Sequence, residues 1–520
     1  MILSAVDVLV CVGVVAVVLG AQLVATIDDP PGGADEGYLW YGVLAVARAE
    51  VPLRDFRSYE PGRYWVSLPF LVLGRGLPSI RVAATAMLAA GTVAVALALR
   101  GTGRGWPVVV VTVLIVAAWS PIFQKRHDQA VLLAAAAALV WVIAEPAPAS
   151  FVAAGAAVGL ALVFGLNLGL YVGAATGLTQ VVVARRVGVD LLPASGRVLF
   201  GAFVAGSPLL VMTLAVRGFG RALVQRRVVD TTRRGATNLA LPVPVPWRPP
   251  PRQVRMVVGR FGARLAPLLF VVIPTAAAVV VAVALFGPDD WAGAHPVLVG
   301  SAVLTLPAWH HVTSRADIEH LSNVIAVPLI GFVAFADAGG LPLVVAVVVV
   351  AVVTGAVSMP RHPWVKRRRE PAAYVRRSIR GRRALWFRTV DAALVDAAVG
   401  VRDEIADDRP WLAVPMTLWL LPFLGLRSAV YDSFCVYPAS PDAQDRMIGE
   451  IDATAAPIAV VGLSALDGRE DLRFPATHPR VWAHLCDLYD PVVPDRSPAG
   501  SVRILRRRGT VGQAADPEIT

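Results

Sequence analysis

The chain has 520 residues, of which 56% are hydrophobic and 16% charged, with a mean hydropathy of +0.63. A soluble domain carries about 25% charged residues, so an ordinary soluble enzyme is excluded. A formal net charge of +11 would suggest a nucleic-acid partner in a soluble protein. Here the Arg clusters flank apolar runs, which favours anionic lipid headgroups and argues against nucleic acid.

About eleven apolar runs follow one another, most of them near the 17–25 residues that cross a bilayer core of about 30 Å. They are too long and too unalternating for a β-barrel. The first covers about residues 4–26, lacks a basic leader and reads as a retained helix. A hydrophilic stretch with seven carboxylates follows, from Asp28 to Arg63. Within it Tyr38–Ala49 is amphipathic enough to lie along the membrane interface, among belt-type aromatics such as Trp40, Tyr41, Tyr64 and Trp65. Further runs lie near 78–99, 107–122, 129–144, 151–165, 168–183 and 197–216. A basic segment, 217–264, has a Pro-rich middle that cannot be helical. The last runs lie near 265–287, 296–309, 321–337 and 341–358.

The stretch 361–388 reads as a basic juxtamembrane linker, and 389–510 as a small α/β domain with a disordered tail, 511–520, behind it. In that domain Leu394–Ile405 and Asp442–Ile451 read as helices, and Trp411–Pro415 and Ile458–Gly462 as short buried strands. Cys435 and Cys486 can pair if the domain is extracytoplasmic. Counting runs puts Asp35, Asp128 and Asp317 on one membrane face. A cytoplasmic N-terminus makes that face the outer one, by the Arg-bearing short loops at 100–105 and 184–196.

Four polar clusters interrupt this apolar chain. Asp35-Glu36 offers a carboxylate at the membrane edge, where partial drying raises a pKa toward that of a general base. It reads equally as a solvated acidic loop. Lys125-Arg126-His127-Asp128 sits between two apolar runs, either as a site or as a hairpin turn facing water. His310, His311, Arg315, Asp317 and His320 form a third break, suited to phosphate more than to metal, or else a plain polar loop. Ser58–Trp65 places Tyr59 and Arg63 around a Pro-Gly turn, as a substrate wall or an interfacial anchor. No cofactor motif is present, and divalent-metal dependence stays open.

The segments DEGYLWYG, VPLRDF and SYEPGRYW, with RHD at Arg126–Asp128 and SRADIEHL at Ser314–Leu321, resemble the GT-C superfamily of polytopic glycosyltransferases. The likeness is to the family 39 branch, which holds protein mannosyltransferases and lipid A aminoarabinose transferases. It covers about residues 1–360 and, more weakly, the C-terminal domain. One departure is Asn167, where many relatives carry Lys. The resemblance implies an all-α polytopic membrane fold with a small C-terminal α/β domain, in a bacterial plasma membrane. It implies inverting transfer of a sugar from a polyprenyl-phosphate donor to an extracytoplasmic glycan, lipid or protein acceptor. Asp35 would match the catalytic base, and Asp128 the second-loop acid. Arg126, His127, Arg315 and the basic 217–264 segment would face the lipid phosphate. A transporter or flippase of lipid-linked sugars, or a non-catalytic envelope assembly protein, are the competing expectations. Against the first stands the absence of an internal repeat.

Overall fold

The computed structural model describes residues 3–32, 35–122, 125–234, 239–248, 252–288, 290–378, 383–405, 408–492 and 501–509. The expected tail at 511–520 lies outside them. The chain divides into two compact units. One holds residues 1–27, 59–66 and 81–369; the other holds 28–58, 67–80 and 370–520.

The first unit is helical, and each of the expected apolar runs falls on a helix. Among the described residues seven helices are long and apolar enough to cross a membrane. The pair Ile318–Val324 and Ala326–Gly340, bent by 49°, makes a possible eighth crossing. Trp106–Trp119 and Pro148–Phe164 are apolar but shorter. The protein is a multi-pass membrane protein.

Chain ends in this unit are closed by side chains. Ser4 caps Ala5–Thr26, accepting from Asp7 N at 3.0 Å while Asp7 bonds back to it. Arg186 donates to Ala284 O (2.6 Å) and Gly287 O (2.8 Å), the orphan carbonyls where Arg252–Phe286 ends. So at least part of the basic charge near the apolar runs serves helix ends rather than lipid.

Small residues set the tightest helix pair. Pro148–Phe164 and Leu191–Ala215 meet at Gly155, Gly159 and Gly201. A Cβ on Gly159 would lie 2.3 Å from Ala202 O, and one on Gly155 2.0 Å from Val198 O. Only 6% of the apolar window of Leu191–Ala215 is buried, so this stripe is nearly its whole hold on the bundle. Gly159→Leu is expected to lower the unfolding temperature in detergent by several degrees, from about 1–3 kcal/mol of overpacking or more. Gly177→Leu, where a Cβ meets nothing within 4 Å, is the control. Equal effects of the two would remove this account of the packing.

The second unit combines the C-terminal region with much of the first hydrophilic stretch. Part of the segment expected to be linker forms an antiparallel pair, β1 (Tyr374–Arg377) and β2 (Leu385–Arg388). A four-stranded sheet contains β3 (Leu412–Val414), β4 (Ile458–Gly462), β5 (Tyr489–Pro491) and β6 (Val502–Arg507), in the order β3-β4-β6-β5. β3 and β4 are parallel, and Pro441–Thr454 precedes β4 as the helix of the crossover. The expected helices and the two expected strands are present here. Cys435 is buried, Cys486 exposed, and they are not bonded to each other.

One expectation is corrected. The helix Asp35–Ala47 does not lie on an interface, because Glu36 through Val43 and Ala45 are buried within its own unit. Gly37 packs so tightly on Trp419 that a Cβ would lie 2.6 Å from that residue's own. Tyr38 meets Phe434 edge-on at 5.1 Å, and Tyr41 Oη accepts from Ser428 N at 3.1 Å. Trp40 Nε1 donates to Arg75 O at 3.0 Å. Aromatics with one polar handle suit such a half-polar core as well as they suit a membrane interface. Below the helix, Arg57 pairs with Asp432 at 2.5 Å.

Candidate active site

The helical unit gathers charged side chains around the turn Tyr59–Tyr64. Pro61-Gly62 starts the short helix Gly62–Ser67, and Gly is required there because a Cβ would lie 2.7 Å from Val163 O. The turn spans the joint between Pro148–Phe164 and Leu166–Val187. Arg63 Nη2 donates to Phe164 O at 2.8 Å, closing the first helix. Glu60 Oε1 accepts from Leu166 N at 3.3 Å, placing a carboxylate at the second helix's positive end.

Both charges have a second partner. Arg63 Nη2 lies 3.0 Å from Asp128 Oδ1, and these side chains are only 7% and 11% exposed. Glu60 Oε1 lies 2.8 Å from Arg227 Nε, in the basic segment. Tyr59 carries two cations on its ring, with the Arg63 guanidinium at 4.2 Å and Lys125 Nζ at 5.4 Å. Tyr59 N donates to Tyr64 Oη at 3.0 Å, and burial pushes the Tyr64 phenol up to about 12, so it stays protonated.

The neighbouring residues of the second break are buried and engaged. Arg126 Nη1 donates to Thr85 Oγ1 at 2.8 Å. His127 stacks on Phe164 with centroids 6.1 Å apart. Gln129 Nε2 donates to Ser322 O at 3.1 Å, which joins this helix to the third break.

That third break is a hydrogen-bonded group. Asp317 caps the helix Ile318–Val324 by accepting from His320 N at 2.8 Å. The same oxygen lies 2.8 Å from His320 Nδ1, and Arg315 Nε lies 2.9 Å from the other. Arg315 also donates to Leu239 O, at 3.4 Å, so the basic segment reaches this cluster too. His311 Nε2 lies 3.0 Å from Asn323 Nδ2, and the His311 and His320 rings are 5.0 Å apart. His310 Nδ1 lies 2.8 Å from Tyr171 Oη. Tyr171 also bonds Asn167, the residue that departs from the family pattern.

Burial alone would raise the Asp317 carboxyl. The His320 ring and amide and the Arg315 charge outweigh that and hold it below its usual value. A depressed carboxyl contributes stability above its unfolded value of about 3.9, and that contribution is lost as pH falls through the lower folded value. Asp317→Asn is therefore expected to lower stability near neutral pH and to flatten its decline below about pH 4. Thermal unfolding in detergent across this range checks it, and parallel acid limbs in both proteins would count against it.

The sequence-predicted residues thus separate into two sets. Tyr59, Arg63, Arg126, His127, Asp128, Arg315, Asp317 and His320 belong to the helical unit, and Asp35 and Glu36 to the other. Asp35 opens its helix and is half-buried. Glu36 is buried and accepts from Gly32 N at 2.8 Å, holding the approach to the helix. Three further members, Lys125, Arg227 and Tyr171, were not singled out one by one from the sequence, although the second break contains Lys125 and the basic 217–264 segment contains Arg227. Lys125 stood beside the assigned Arg126. Arg227 had no local signal, since its partner is far away in the chain.

No family model matches the chain, and no curated protein sequence matches it significantly. Among solved structures it is similar to ArnT from Cupriavidus metallidurans bound to undecaprenyl phosphate, with 15% identity and a TM-score of 0.51. The match covers 98% of this chain and 99% of that one. The apo form of that protein matches over the same extent, with 15% identity and a TM-score of 0.47. At this identity the likeness to the lipid-bound form establishes the fold. This chain therefore shares the fold of that protein, and within it carries a helical membrane unit and a small C-terminal α/β unit.

Proposed function

We propose that the protein is an integral membrane glycosyltransferase that moves a sugar from a polyprenyl-phosphate donor to an extracytoplasmic acceptor in a bacterial envelope. The observation that carries this reading is the pair of cations at Tyr59, whose ring both Arg63 and Lys125 approach. It stands in a fold shared over its full length with a protein crystallised with undecaprenyl phosphate.

The chemistry fits these residues. The bond between the anomeric carbon and the phosphate oxygen breaks, and the electron pair leaves with the phosphate. A lipid phosphate is a weak base, so it needs cations more than a general acid. Lys125 and Arg63 supply positive charge, and Arg227 and Arg315 lie on the segments tied to them. Asp128 orients Arg63 through their buried pair rather than acting as a free base. Asp35 takes the acceptor hydroxyl's proton as the acceptor oxygen attacks the anomeric carbon, which inverts its configuration. Tyr59 and His320 border the donor. The acceptor is a glycan, lipid or protein.

The test is transfer in nanodiscs from undecaprenyl-phosphate sugars carrying radiolabelled pentoses or hexoses, with crude envelope fractions as acceptor. Labelled product, lost on replacing Lys125 with alanine, is expected. Labelled donor that moves across the bilayer without forming product would replace this reading with transport.

A further inference from the structure

The C-terminal unit contains a cleft of about 250 Å³ at one edge of its four-stranded sheet. It opens where the parallel strands β3 and β4 end, at Pro415–Thr417 and Gly462–Ser464. In sheets with parallel strands, ligands bind outside the carboxyl ends of those strands. The two ends are drawn together closely. A Cβ on Gly462 would lie 2.7 Å from Pro415 O, so glycine is needed for the approach. The next residue, Met416, holds a left-handed backbone with φ of 63°. Such strain in a side chain that gains nothing from it concentrates at ligand sites.

The lining defines a ligand class. Trp419 borders the cleft and keeps a little exposure, and the buried Phe387 ring, 5.7 Å away, backs it, so the cleft has one aromatic wall. Thr417, Ser464 and Ser501 supply hydroxyls. Asp391 supplies one carboxylate, which burial pushes upward against the pull of Arg388. Among the described lining residues there is no Lys, Arg or His. An anion would meet a carboxylate and no counter-charge, so phosphate and carboxylate ligands are disfavoured. A cation would be held by a single carboxylate among hydroxyls and apolar groups, short of the six or more oxygens that hard ions take. A neutral polyol with one apolar C–H face matches the aromatic wall, the hydroxyls and the single strong acceptor together.

We propose that this cleft binds a neutral sugar ring, packed against Trp419 and hydrogen-bonded to Asp391 and the hydroxyls of the lining. The site lies wholly within the C-terminal unit and is separate from the charged cluster of the helical one. It gives the protein a glycan-holding module whatever the helical unit does.

The experiment is saturation-transfer difference NMR on the full chain in nanodiscs, without lipid-linked donor. The probes are methyl glycosides of neutral hexoses and pentoses, with inorganic phosphate as competitor. Saturation is expected on the C–H protons of at least one glycoside, at millimolar affinity. Ser464→Trp, at an exposed lining position, is expected to abolish it, and Asp391→Asn to weaken binding about fivefold or more. Arg315→Ala, in the other unit, is expected to leave it unchanged. Absence of any signal up to about 10 mM glycoside, survival of the signal in folded Ser464→Trp, or its displacement by phosphate would overturn the proposal. Because no donor is present, these outcomes are independent of whether the protein transfers sugar.

Discussion

Arg63→Ala is expected to destabilise the helical unit by about 3–5 kcal/mol, the cost of removing one member of a buried ion pair. Three groups lose a partner at once. Asp128 keeps its charge in a site where its side chain is 11% exposed. The Phe164 carbonyl loses a donor at a helix end, and Tyr59 loses the nearer of two cations. Adding Asp128→Asn to Arg63→Ala removes the stranded charge and is expected to recover a substantial part of the loss. Arg63→Lys is also expected to recover part of the loss, since both bonds come from one nitrogen, Nη2, and an ammonium keeps the charge if its shorter stem reaches that point. Unfolding temperatures of the four proteins in one detergent decide the matter. If the double variant is no more stable than Arg63→Ala, stranded charge is not the source.

Asp35→Asn is expected to reduce kcat for sugar transfer by about 10²- to 10⁴-fold, the range for removing a general base. Its unfolding temperature is expected to stay near that of the parent, since the side chain is half-buried at the first turn of its helix. Glu36→Gln makes the informative contrast. Glu36 is buried and holds Gly32 N, so its loss is expected in stability more than in turnover. Near-normal turnover in Asp35→Asn together with inactivity in a folded Glu36→Gln would move the base by one residue.

The helices of the membrane unit were legible because crossing a bilayer is a local demand on length and hydropathy. Each apolar run could be read without knowing its neighbours. The pairs that build the charged cluster are not local. Glu60 and Arg227 are far apart in the sequence, and neither flanking segment changes character because of the other. Asp35 and Asp128 were singled out by motif, which says nothing of their partners. The helix Asp35–Ala47 was misplaced for a definite reason: tyrosine and tryptophan suit a membrane interface and a wet protein core by the same chemistry. The strands β1 and β6 were missed where Arg-rich sequence hid their alternation, in Tyr374–Arg377 and Val502–Arg507, and β2 and β5 because four and three residues are too few to show one.

The burial of Asp35–Ala47 has a consequence for biosynthesis. Its wall is Trp419, Phe423, Ser428 and Phe434, and the chain that follows it is tied through Arg57 to Asp432, 375 positions later. At about 5–20 residues per second, synthesis of the intervening chain takes on the order of tens of seconds. During that time the helix bearing the candidate base has none of its permanent neighbours from the C-terminal region. A chaperone-accessible aromatic helix is therefore part of every copy's history. A premature stop before Trp419 leaves a helix bearing the first-loop carboxylate that keeps its bonds to Gly32 and Arg75 but lacks its whole C-terminal wall.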